Sequence, residues 1–245
     1  MTVAIASARL AFGGFSSSSP LGAVRDGMWW RDDFLNGMLS SYATNGTGAQ
    51  SIGAGPLATR PGIYRGTVSA AATPDRANVG LTVGTAGLAQ CQQFVFGAGE
   101  ISAEIAMSLV ATSDGVDNYV LRAGFGDLGT GDMVDGAYFE NDRSTHGDNG
   151  WRIKTSANSV RTTVNTALAP VAGVFGRYGI VVNAAATLVT FTIDGASVGT
   201  INTNIPTTAA RTLGFIIQLI KTLGAGAKSI DVDYYEIVQT FTARR

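Results

Sequence analysis

One cysteine and one histidine are all that the 245-residue chain offers of the side chains most used for thiol chemistry and metal binding. Cys91 alone cannot close an intramolecular disulfide, and a Cys-rich zinc site is excluded with it. His146 alone cannot build a multi-histidine zinc centre. Neither residue sits in a nucleophile motif. Cys91 therefore reads as a small buried apolar residue. His146, in the polar turn Thr145-His146-Gly147-Asp148-Asn149-Gly150, reads as a surface-loop residue. Long apolar runs are missing as well. None reaches the ~18–20 residues of a membrane helix. The apolar stretch at 3–14 is broken by Arg9 and has no basic segment before it, so it lacks the form of a secretion signal. Charge of one sign is also missing. Seventeen Lys+Arg stand against eighteen Asp+Glu, a net charge of -1, with no Lys/Arg block. That balance argues against nucleic acid as the partner. A protein made in the cytoplasm without leader or anchor is expected.

Glutamate and lysine are scarce too, at 4 and 3 against 14 Asp and 14 Arg. They are the residues that decorate exposed helix faces, so little material remains for amphipathic helices. Asp, Asn, Gly, Thr and Ser take their place and favour turns and strands. Gly and Pro, at 32 and 6, show no collagen period, and 45% hydrophobic residues exclude global disorder.

The strand patterns bear this out. Val189, Phe191 and Ile193 alternate with Thr190 and Thr192, one face apolar and one hydroxylated. Asp194-Gly195 follows at once and marks a hairpin, whose return strand carries Val198 and Ile201. Asn149-Gly150 joins Ala137–Glu140 to Trp151–Lys154 in the same way, through a longer loop. Phe215–Ile220 is short and β-branched, a strand covered on both faces. In the closing strand Ile230, Val232 and Tyr234 alternate with Asp231, Asp233 and Tyr235. Further strands are expected at Gly62–Val68 and Gln92–Phe96, and a turn-rich stretch at Tyr42–Gly48. About twelve to fourteen strands at ~8–12-residue spacing make an all-β, two-sheet antiparallel sandwich or jelly roll. The strands near Asp32-Phe34 and Asp231-Tyr234 should lie side by side.

Residues 1–28 differ from the rest. Their Ser, Gly and Pro content suggests an extended arm without a core of its own. Ile5, Leu10, Phe12 and Phe15 would then need a neighbour to bury them, so the arm reads as a docking element and 29–245 as the sandwich domain. Trp29 and Trp30 extend the docking set. On a strand, one of two adjacent residues must point away from the core.

Glycan hydrolysis needs a pair of suitably spaced carboxylates. Glu100, Ser102 and Glu104 share a strand face, but residues i and i+4 lie about 13 Å apart at ~3.4 Å per residue. Paired-carboxylate hydrolysis wants about 5–9.5 Å, so no enzyme is expected. Asp114–Asn118, Asp127 with Asp132 and Asp135, and Asp142 with Asp148-Asn149 are oxygen-rich loops. Calcium is the one cation they could suit. Asp and Asn are also ordinary turn residues, and no cofactor is assigned.

Several segments together resemble the concanavalin A-like (laminin-G-like) jelly-roll domains of tailed-bacteriophage virion proteins. They are Asp32-Asp33-Phe34, Asp135–Asp142, Gly147–Trp151, Thr187–Gly195, Asn204–Thr207 and Ile230–Tyr234. The resemblance covers roughly residues 30–240 and leaves the arm outside. It implies a structural protein of the virion surface, as capsid decoration or cement or as a tail fibre component. It further implies a homo-oligomer, a trimer by preference, held against major capsid or tail proteins. The alternative it leaves open is a carbohydrate-binding module for host surface glycans.

Overall fold

The computed structural model describes residues 27–34, 42–45, 49–52, 62–68, 75–81, 94–127, 131–208 and 211–242. Ile5, Leu10, Phe12, Phe15 and Cys91 lie outside the described residues. In chain order the strands are β1 (Gly27–Asp32), β2 (Tyr42–Asn45), β3 (Ala49–Ile52), β4 (Tyr64–Val68), β5 (Arg76–Leu81), β6 (Ile101–Leu109), β7 (Asn118–Gly126) and β8 (Gly136–Asp142). They continue as β9 (Trp151–Ala157), β10 (Val160–Asn165), β11 (Gly176–Val182), β12 (Val189–Ile193), β13 (Ala196–Ile201), β14 (Gly214–Leu223) and β15 (Lys228–Thr240). The four-residue helix α1 (Arg143–His146) interrupts the β8–β9 connection.

Two antiparallel sheets result. Sheet A runs β13-β12-β11-β6-β15-β4-β3, with β1 also paired to β15; sheet B runs β10-β9-β8-β7-β14-β5-β2. Alternation along each strand sends one side chain in two toward the partner sheet. From sheet A these include Ile101, Ile105, Met107, Tyr178, Ile180, Phe191, Val232 and Ile237, and from sheet B Leu121, Phe125, Phe139, Trp151, Phe215 and Leu219. Edge-on aromatic contacts pack the core, those of Phe139 crossing from sheet B to sheet A. Phe125 meets Phe94, Phe96 and Phe215 at 5.4–5.6 Å, and Phe139 meets Tyr178 at 5.4 Å and Phe191 at 5.3 Å. Such pairs add ~0.5–1.5 kcal/mol each beyond the area they bury.

Several expectations hold. Asp194 and Gly195 take φ of 52° and 81°, the left-handed pair that a two-residue hairpin turn requires. β14 is buried on both faces along Gly214–Lys221. The first and last strands pair, with Asp32 opposite Tyr235.

Three expectations are corrected. Tyr42–Asn45 is not turn but strand β2, because it finds a ladder partner in β5. Phe94–Phe96 is not a strand. Phe94 makes a single bridge to Leu213, and its neighbours enter a Gly-rich turn. The third correction concerns β15. Its pairing with β6 shifts between Val232 and Tyr234, so Asp233 is an extra residue. A bulge of this kind reverses the faces beyond it. Ile230 and Val232 point inward as expected, but then Tyr235 and Ile237 do, and Tyr234, Glu236 and Val238 turn outward.

Candidate functional site

The outward turn of Tyr234, Glu236 and Val238 gives the outer face of sheet A its chemistry. In register, Glu236 sits opposite Glu104 of β6 on one side and Arg31 of β1 on the other. Glu104 lies opposite Gly179 of β11, and Gly179 opposite Thr192 of β12. The next row carries Ser102, Val181, Val238 and Trp29. Between these rows lies an open trough of about 280 Å³, lined among others by Ser102, Glu104, Gly179, Thr192, Glu236 and Val238. Gly179 is part of its lining and makes room for Thr192. A Cβ there would come within 2.3 Å of Thr192 Oγ1.

Trp29 stands at the β1 end of the trough with 41% of its surface exposed. Its indole Nε1 donates to Glu236 Oε1 at 2.9 Å, which fixes the ring. Trp30, its neighbour, faces inward, packs on the core and donates to the Tyr235 hydroxyl at 3.1 Å. The two tryptophans thus split between core and surface as the strand pattern predicts.

The Tyr234 hydroxyl donates to Glu104 Oε1 at 2.6 Å. Burial, and then the bond and charge of Glu104, push the phenol up to about 12, so Tyr234 remains a donor across the physiological range. The Arg31 guanidinium lies 4.9 Å from the Tyr234 ring centre and 3.7 Å from Glu236 Oε2. It therefore sits on the Tyr234 side of Glu236, away from Val238 and the trough. Two like charges directly opposite on neighbouring strands destabilise each other. Here two exposed guanidiniums, Arg31 and Arg177, whose charges both reach Tyr234, offset part of that repulsion, since such pairs contribute ~0–1 kcal/mol.

The outer face of sheet B is also charged, and its groups are arranged differently. Asn78, Gln218, Arg122, Glu140 and Arg152 form one row across five strands. Glu140 is 1% exposed. It accepts from Arg122 Nε at 2.7 Å and from Lys154 Nζ at 3.0 and 3.1 Å. Asp132 meets Arg122, Lys154 and Arg161 at 3.1, 3.0 and 2.9 Å and accepts the Tyr138 hydroxyl at 2.6 Å. Burial raises both carboxyls, but the cations of Arg122 and Lys154 outweigh it and hold both below their usual range. Every acid in this network already has its cations. Its chemistry is that of a clamp across β7, β8 and β9.

His146 belongs to that clamp, which corrects its assignment to a surface loop. It ends α1, and its Nε2 lies 3.2 Å from Glu140 Oε1. The oxygen-rich loops tie backbone and cations. Asp114 accepts from the amides of Val116 and Asp117 and from Lys228, and those bonds hold its carboxyl at about 2. Asp142 caps α1 through Thr145. Asp148 holds Arg152, and Asp135 holds Arg211. Asp117 accepts the Gly226 amide, and Asp127 accepts that of Val134. Among the described residues no three His, Cys, Asp or Glu side chains gather where an ion could be held.

Glu100 is exposed just ahead of β6 and is not brought to Glu104. The partner that sequence spacing missed is Glu236, 132 residues further along. Pairing between strands so far apart leaves no local signal, and the bulge at Asp233 hides the outward parity of Glu236.

A family model described as SO2946-like, C-terminal domain, matches residues 59–233. That range includes Ser102, Glu104, Gly179 and Thr192 and leaves out Trp29, Tyr234, Glu236 and Val238. Among solved structures, the protein of unknown function SO2946 from Shewanella oneidensis MR-1 is 14% identical with a TM-score of 0.63, over 95% of this chain and 98% of that one. The potassium-bound carbohydrate recognition domain of Emp46p is 8% identical with a TM-score of 0.54, over 84% and 94%. A Bacteroides ovatus GH16 protein of a mixed-linkage glucan locus, in complex with G4G4G3G product, is 12% identical with a TM-score of 0.56, over 85% and 99%. These likenesses establish the concanavalin A-like jelly-roll fold. No protein of curated function matches the chain.

Proposed function

We propose, for a chain that belongs to the SO2946-like C-terminal domain family, that the outer face of sheet A binds carbohydrate and does not cleave it. The observation that carries the reading is the exposed indole of Trp29, fixed by Glu236 at the end of a trough whose polar lining is carboxylate and hydroxyl. A pyranose has an apolar C–H face and a rim of hydroxyl donors. An amphipathic ring set beside a few placed acceptors suits both. The glycan-handling neighbours support the reading by analogy of fold only. The state of the carboxylates supports binding rather than hydrolysis. Glu104 is engaged by Tyr234, and Glu236 by Trp29 and Arg31, on an open strand face that excludes little water.

Calorimetric titration against a panel of soluble oligosaccharides tests it, comparing the wild type with Trp29→Ala. The wild type should bind at least one member, and Trp29→Ala should weaken that affinity at least tenfold. Equal affinity in the two proteins, or release of new reducing ends by the wild type, would contradict the reading.

The exposure of Trp29 also favours a second reading, in which this face seats a neighbouring virion subunit together with the arm, now bounded at residue 26 because Gly27 and Met28 belong to β1. Its support is the sequence resemblance and the position of Trp29 in β1, the strand that follows the arm. Light scattering on the full chain and on a chain lacking residues 2–26 tests it. An oligomer, a trimer by preference, that collapses on truncation supports it, and identical monomers count against it.

A further inference from the structure

The charge of the trough specifies its ligand more closely than its shape. Glu104 and Glu236 stand opposite each other on β6 and β15, and both line the trough. No lysine or arginine lines it. Arg31, the cation nearest Glu236, is drawn over the Tyr234 ring on the other side of that glutamate. Among the described residues, the one hydrogen bond to Glu104 comes from Tyr234 and occupies Oε1. Thr192 and Ser102 add hydroxyls that serve as acceptors. Gly179 leaves room for the Thr192 hydroxyl to lie over β11 beside Glu104, and Trp29 stands next to the lining residue Val238 in register, with its ring exposed.

We infer that the trough takes a glycan bearing a free amine, an amino sugar whose ammonium lies between Glu104 and Glu236. The inference rests on the carbohydrate reading of this face and sharpens it. An ammonium relieves the repulsion between two acids that the protein itself leaves only partly offset. It donates three hydrogen bonds where the lining offers acceptors. A uronate would bring a third negative charge to the same place and is disfavoured. An N-acetylated sugar keeps the ring but loses the charge, and a neutral glucan never had it.

The test is calorimetry with four oligosaccharides of matched length: a glucosamine oligomer, its fully N-acetylated counterpart, a cello-oligosaccharide and an oligoglucuronate. The pH is set below the pKa of the sugar amine. The glucosamine oligomer should bind about tenfold tighter than the acetylated one, with the uronate weakest. The preference should shrink when salt rises from ~0.1 M to ~1 M, because the screening length falls from about 10 to 3 Å. Glu236→Gln and Glu104→Gln should each lower the glucosamine affinity at least fivefold more than the acetylated affinity. Trp29→Ala should weaken all binding alike. Equal or tighter binding of the acetylated or neutral oligomer, still dependent on Trp29, would overturn the amine inference and leave the carbohydrate reading standing. Binding of none of the four would overturn both.

Discussion

The two outer faces of the sandwich use the same strand geometry and nearly the same residue types, yet they do opposite things with charge. On sheet B, Glu140 and Asp132 are interleaved with Arg122, Lys154 and Arg161, each acid within 3.1 Å of a cation. On sheet A, two glutamates face each other, the nearest guanidinium is 3.7 Å from one of them, and a trough opens beside them. A closed network makes a face that holds strands together. An unbalanced one makes a face prepared for something from outside. Register decides which it is. The row on sheet B alternates acid and base, Arg122-Glu140-Arg152. The row on sheet A sets acid against acid because the bulge at Asp233 moves Glu236 out.

The comparison fails first, if it fails, at Glu140. Glu140→Ala leaves Arg122 and Lys154 buried with Asp132 as their remaining acid. The expected loss is about 3–5 kcal/mol, the usual size for breaking a buried ionic group. Urea unfolding measures it, and a loss as small as that of a surface pair would make the two faces equivalent. Acid should act in the same direction, more gradually. Asp132 and Glu140 are held below their usual range, so their contribution is full above the unfolded value of about 4 and is lost as pH falls through the folded values. Thermal unfolding followed downward from neutral pH should show the decline, and Glu140→Gln should flatten it. Next in size is Gly195→Val, which forces a β-branched residue to φ 81° in the hairpin that delivers Thr192 to the trough. The expected loss is ~1–2 kcal/mol, whereas Thr192→Ser should stay within ~0.5 kcal/mol. The smallest effect belongs to the trough itself. Glu236→Gln should change stability by less than ~1 kcal/mol while changing what binds. A large destabilisation there would mean that sheet A is clamped like sheet B.

Local signals carried most of the fold. Asp194-Gly195 announces its hairpin because only left-handed φ closes that turn. The Val-Thr-Phe-Thr-Ile run shows which face of β12 is buried. The Trp29-Trp30 pair announces that one indole is outside. The site was less legible, for two physical reasons. Asp231-Val232-Asp233-Tyr234-Tyr235 is compatible with unbroken alternation, and a bulge is set by the partner strand rather than by the bulged one. The Glu104–Glu236 pair joins positions whose adjacency exists only after the sheet has formed. Along one strand the linear chain offers Glu100 as the neighbour of Glu104, whereas Glu236 lies across the ladder. His146 misled for a similar reason, because Glu140 is reached only when α1 folds back onto β8.

Sheet A, not sheet B, is proposed as the recognition face. Two-dimensional amide NMR of the isotope-labelled protein, titrated with the oligosaccharide it binds best, tests this most directly. Shift changes should centre on the Trp29 indole N–H and on the backbone amides of 102–104, 179–181 and 236–238, with the amides of Arg122, Glu140 and Lys154 unmoved. Changes centred on β7, β8 and β9, with the Trp29 indole unmoved, would contradict it.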